Sequence, residues 1–237
     1  MKDIRSLAIW GDSILKGVIY DEALEKYRPC DNTAVDILCK KFPELEIKNN
    51  SRFGNVISKG RKLIEKSLAS GYRPDAAIIE FGGNDCDFAW REVSKEYLSD
   101  HEPNTPLDIF IKQLYEIAAL LRENDIQPII MNLPPISADR YFDWFCRDSE
   151  TDPERVLHWL CEKQIIYRTQ ERYSHCADMA AKELGIPLLD IRTELLGIRN
   201  YGDYLSADGI HLNASGQEVL GETLSAQFGK ILRGDRI

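Results

Sequence analysis

Leu7-Ala8-Ile9-Trp10-Gly11-Asp12-Ser13-Ile14 is a short apolar run that stops at a turn tripeptide. Four consecutive apolar residues read as a strand buried on both faces, the kind found in parallel sheets. Four more such runs follow, at residues 45–48, 76–81, 128–132 and 187–191. Between them lie longer segments with apolar residues three and four apart, at 33–42, 56–70, 107–123, 155–184 and 216–232. In the third, Ile109, Leu114, Ile117, Leu120 and Leu121 form one stripe. Strand and helix in alternation predict an α/β fold, with a parallel sheet covered by helices on both faces and ligands at the carboxyl ends of the strands. Ser13 and Asn84 both fall at such ends.

The helix ends are marked. Asn124-Asp125 and Gly185-Ile186-Pro187 close two helices, and Ser215-Gly216-Gln217-Glu218 offers a capping box for the last. No repeat, low-complexity stretch or linker divides the chain, so residues 1–237 are expected to form one domain. Two segments exceed simple connections. One runs from Cys86 to Pro106; the other, an insertion at about 135–153, holds Tyr141, Phe142, Trp144 and Phe145. Both are expected to shape a substrate site, with Tyr141, Trp144 and Phe145 as candidate contacts; the alternative for the aromatics is anchoring to the core or to a second subunit.

The net charge of −9 argues against a nucleic-acid partner, which selects for a basic face. Six cysteines without a Cys-x-x-Cys pair suit a reduced cytoplasmic protein better than a disulfide framework. No stretch approaches the roughly 18 apolar residues of a membrane span. Oligomeric state is not legible.

A serine hydroxyl becomes a nucleophile only when a neighbouring base takes its proton. Among the four histidines, His158 and His175 lie in a helical segment and His101 in a polar loop, which leaves His211 as the candidate base. Asp208, three residues earlier, can turn back to orient the imidazole and stabilise its charged form. The Asn84 amide and the N–H groups of Gly54 and Ser13 are candidate donors to an oxyanion. Neither this set nor the cysteine spacing makes a metal site, so no metal or other cofactor is expected.

Gly11-Asp12-Ser13, Gly54, Gly82-x-Asn84-Asp85 and Asp208-x-x-His211, in that order over nearly the whole chain, resemble the SGNH hydrolases, also called GDSL esterases and lipases. The resemblance implies a flavodoxin-like three-layer α/β/α sandwich with a mostly five-stranded parallel sheet. It also implies a serine esterase acting on small-molecule esters, with Ser13 as nucleophile, His211 as base, Asp208 as orienter, and Ser13, Gly54 and Asn84 as the oxyanion hole. Asp12 and Asp85 match positions that hold the loops. Aromatic faces stack on sugars and a small acyl group needs little groove, so short-acyl esters of carbohydrates, O-acetyl esters above all, are the expected substrates. A lysophospholipase or thioesterase is the alternative within enzymes, and a non-catalytic binding module on the same fold is the alternative outside them.

Overall fold

The computed structural model describes residues 4–234. Its strands are β1 Ser6–Trp10, β2 Val18–Asp21, β3 Lys26–Pro29, β4 Glu46–Asn49, β5 Ala76–Ile79, β6 Gln127–Met131 and β7 Leu188–Leu189. Its helices are α1 Ser13–Lys16, α2 Ala34–Lys41, α3 Ile57–Ala69, α4 Trp90–Lys95, α5 Leu107–Glu123, α6 Ala138–Phe145, α7 Pro153–Leu160, α8 Gln164–Leu184, α9 Ile191–Leu196 and α10 Ala214–Arg233. Five strands form one parallel sheet in the order β4-β1-β5-β6-β7. This is the flavodoxin-like order, and its switch lies between β1 and β5. The carboxyl ends of those two strands lead to Ser13 and Asn84.

The sheet has a core on each face. Trp10, Ile79 and Phe81 pack with Ile64 of α3, Phe110 of α5 and Tyr173 of α8 on one side. Leu7, Ile9 and Ile78 pack with Leu38 of α2, Leu195 of α9 and Phe228 of α10 on the other. A smaller cluster away from the sheet joins Trp90 and Val93 of α4, Phe142 of α6 and Val156 and Leu160 of α7.

Several expectations need correction. The stripe on α5 is Phe110, Leu114, Ile117, Ala118 and Leu121; Ile109 faces solvent. The segment 155–184 is two helices, broken where Cys161 takes a left-handed φ of 64°. The two helices pack differently: α7 buries Val156 and Leu160 in the small cluster, whereas α8 starts there with Ile166 and runs on to bury Tyr173 and Ala177 against the sheet. The final helix is capped by Asn213, whose side chain accepts the Gly216 N–H at 2.9 Å, not by Ser215. The last strand is only two residues long because Asp190 already caps α9. Residues 86–106 are not all loop, since α4 lies within them. The antiparallel hairpin of β2 and β3, between α1 and α2, has no counterpart in the sequence reading.

Candidate active site

Gly11 and Asp12 turn the chain from β1 into α1, which opens on Ser13. Asp12 is the N-cap, its Oδ1 accepting the Ile14 N–H at 2.8 Å. The loop before α10 brings the other partners. Gly209, at φ +74°, bends it so that Asp208 Oδ1 accepts the N–H groups of Ile210 at 3.1 Å and His211 at 3.0 Å. Asp208 Oδ2 then lies 2.6 Å from His211 Nδ1, and His211 Nε2 lies 2.9 Å from Ser13 Oγ. All three side chains are buried.

These contacts fix the protons. Burial alone would push the Asp208 carboxyl up, but the hydrogen bond and charge of His211 and the two backbone N–H groups outweigh it and hold it below the usual carboxylate range. An ionised carboxylate only accepts, so Nδ1 carries the ring proton and Nε2 is left to accept from the serine hydroxyl. Ser13, His211 and Asp208, expected together from the sequence, stand in a hydrogen-bonded line.

Asn84 follows β5 through Gly82, where a φ of 133° and the nearby Leu133 and Phe110 leave no room for a side chain. Its Nδ2 donates to Asp12 Oδ2 at 3.0 Å and to the Asn55 carbonyl at 3.2 Å. Gly54 (φ +64°) lines the same outer cavity as Ser13 and Asn84. Asp85 accepts the Ile57 N–H at 3.0 Å and so holds the start of α3 against this loop; burial pushes its carboxyl up to about 6.

The sequence reading missed two contributors. Tyr27, on β3, donates its hydroxyl to Asp208 Oδ2 at 3.0 Å, the oxygen that also faces His211, and its ring lies against His211. Glu80, wholly buried, accepts the Asp12 N–H at 3.1 Å. Burial, and then the charge of Asp12, push the Glu80 carboxyl well above its ordinary value, while burial brings Asp12 up to about 6. The signal for Glu80 was a lone acid inside the apolar run 76–81. Tyr27 had none, because its partner is far along the chain.

Two cavities meet at Ser13, Asn84, Tyr141 and His211. The inner one, of about 80 Å³, has Leu133, Pro134, Ile136 and Ile166 in its wall. The outer one, of about 660 Å³, is lined by Tyr27, Phe53, Trp90, Trp144 and Phe145 among others. Tyr141 donates to Asp87 Oδ2 at 2.6 Å, and Trp90 Nε1 donates to Oδ1 at 2.8 Å, so one carboxylate fixes two aromatic walls. Phe145 stacks on Trp90 with centroids 4.2 Å apart. Phe142, by contrast, is core. His101 is remote, its ring on the Glu96 carbonyl and beside Trp159. Among the described residues no three His, Cys, Asp or Glu side chains converge to hold a metal ion.

The model of the GDSL-like lipase/acylhydrolase family matches residues 9–219. No curated protein sequence matches the chain. Among solved structures, a lipase/acylhydrolase from Enterococcus faecalis superposes with a TM-score of 0.68 at 18% identity, covering 99% of this chain and 100% of that one. An acetylxylan esterase from Geobacillus stearothermophilus, solved as a catalytic mutant, gives 0.63 at 19% identity over 95% and 94%. A member of the lipolytic G-D-S-L family from Veillonella parvula gives 0.65 at 17% over 95% and 98%. No helix among the described residues is long and apolar enough to cross a membrane. With a family match over most of its length and a shared fold, the chain belongs to the GDSL-like lipase/acylhydrolase family and is a serine hydrolase.

Proposed function

We propose that the enzyme hydrolyses short-acyl esters of carbohydrates, O-acetyl esters above all, through an acyl-enzyme on Ser13. As Ser13 Oγ attacks the ester carbonyl, its proton passes to His211 Nε2 and Asp208 stabilises the imidazolium. The carbonyl oxygen, now negative, takes hydrogen bonds from the N–H groups of Ser13 and Gly54 and from the Asn84 amide. Asn84 supplies its donor by giving up the longer of its two resting bonds, the one to the Asn55 carbonyl. Collapse expels the alcohol, which receives the His211 proton. Water, deprotonated by the same imidazole, then attacks the acyl carbonyl and releases the acid and Ser13.

The observation that carries the substrate reading is the inequality of the two cavities. A cavity of about 150 Å³ holds a benzene ring, so the inner cavity, at about 80 Å³, suits an acetyl or slightly longer group. The outer cavity is eightfold larger and walled by aromatic faces, which suits the faces of a sugar. The acetylxylan esterase of the same fold adds support for a carbohydrate ester.

The test is a series of 4-nitrophenyl esters from acetyl to dodecanoyl, run beside acetylated xylo-oligosaccharides. kcat/KM is expected to peak at two to four carbons and to be higher on the acetylated sugar. A peak at eight carbons or more would give the site to a lysophospholipase or thioesterase. Ser13→Ala is expected to lower kcat by several orders of magnitude and to abolish labelling by a fluorophosphonate. An adduct mapped to any other residue refutes the nucleophile.

A further inference from the structure

Beyond Phe53 the outer cavity gives way to another of about 550 Å³, with Phe53 in both walls. It lies at the same edge of the sheet, where β1 ends at Trp10 and β4 at Asn49. Its wall contains Lys16, Arg52 and Lys66 and no carboxylate, in a chain where acids exceed bases by nine. The three cations are exposed, and among the described residues none is paired with an acid. Two other wall residues, Trp10 and Ser51, are 1% and 2% exposed, and Trp10 Nε1 and Ser51 Oγ have no hydrogen-bond partner. The loop is anchored to the chemistry: the Arg52 N–H donates to the Gly11 carbonyl at 3.1 Å, two residues before Ser13. Consecutive residues therefore put Arg52 in the wall of one cavity, Phe53 in the walls of both, and Gly54 in the wall of the cavity that holds Ser13.

The geometry points to a subsite for an anionic group, carboxylate or phosphate, on the alcohol part of the ester. This rests on the esterase reading above and adds a charge requirement to it. The acyl group enters the inner cavity, the alcohol lies across the aromatic wall, and its anion is held by Lys16, Arg52 and Lys66 beyond Phe53. The field of these cations opposes that of the rest of the molecule, so it selects for the charged substrate against a neutral one of the same size.

The test uses two pairs of acetyl esters, each differing in one charge: acetylated xylo-oligosaccharides with and without a uronic acid branch, and acetylglycerol with and without a phosphate. In about 10 mM salt the anionic member of at least one pair is expected to have a kcat/KM about tenfold higher, with the ratio falling toward one in 0.5 M salt as the charges are screened. The pair that responds identifies carboxylate or phosphate. In the double variant Arg52→Glu, Lys66→Glu the preference reverses, and in the triple variant Lys16→Gln, Arg52→Gln, Lys66→Gln, which guards against misfolding by the reversal, it disappears. A ratio near one for both pairs in the parent enzyme overturns the subsite, as does a preference that both variants keep. If no ester is turned over and Ser13 is not labelled, the esterase reading fails by itself, and titration with inorganic phosphate followed at the Trp10 indole N–H resonance decides the subsite. A saturable shift absent from the double variant supports it, and no shift overturns it.

Discussion

Asp12 and Glu80 stand side by side at the ends of β1 and β5, and Asp12 passes its constraint on to Asn84. Folding keeps the Glu80 proton well above the ordinary value near 4.5, where the unfolded chain releases it. Between these limits the folded state binds the extra proton, so stability present in acid is lost as pH rises, at up to about 1.4 kcal/mol per pH unit. Glu80→Gln removes this linkage and retains an oxygen to accept the Asp12 N–H. The Tm of the variant relative to the parent is expected to rise from pH 5 to pH 8 by several degrees, since about 1 kcal/mol moves Tm by roughly 2–4 °C at this size. Parallel pH–Tm curves would show that Glu80 is not the proton carrier. The residues legible in the sequence, Ser13, Asn84, Asp208 and His211, are those whose chemistry demands one side chain at a strand end or in a tight turn. Tyr27 and Glu80 act through partners 181 and 68 positions away, and only the assembled sheet and hairpin reveal those pairings.

Helix α6 ties three parts of the site together. The Ser137 N–H at its start donates to the Gly209 carbonyl at 2.8 Å, in the loop of Asp208 and His211. Tyr141 bonds Asp87, and Trp144 meets Tyr20 of the hairpin with centroids 4.4 Å apart. Two side chains on this helix are expected to behave oppositely. Trp144→Ala opens the outer cavity, so KM on acetylated oligosaccharides should rise about tenfold, several times more than on 4-nitrophenyl acetate. Phe142→Ala empties a core position, with a cost of about 3–5 kcal/mol and no substrate selectivity. Equal loss on both esters with a fall in Tm for Trp144→Ala would make that ring structural. Element boundaries were legible where one face meets one core, as in α5 and α10. The hairpin and the break at Cys161 were not, because a four-residue strand carries little periodicity and apolar residues keep helical spacing on both sides of the break.

Across the molecule, the strand and helix alternation was enough to foresee a parallel sheet between helical layers, since each period reports only on its own burial. It did not show that α4, α6 and α7 would gather their apolar residues in a cluster apart from the sheet. A satellite cluster opens at lower free energy than the central strands it does not touch. Native-state hydrogen exchange is expected to show α6 and α7 amides exchanging through a sub-global opening, while β1, β5 and β6 exchange only on global unfolding. Equal protection in both sets would make α6 and α7 part of the main cooperative unit.

Gly11 adjoins the buried acid that follows β5: a methyl group there would sit 2.6 Å from Glu80 Oε2, 3.1 Å from the Glu80 carbonyl oxygen and 3.2 Å from Ser51 Oγ. A side chain at position 11 would have to displace both Glu80 and Ser51, so the glycine of the first motif is held by residues 69 and 40 positions downstream.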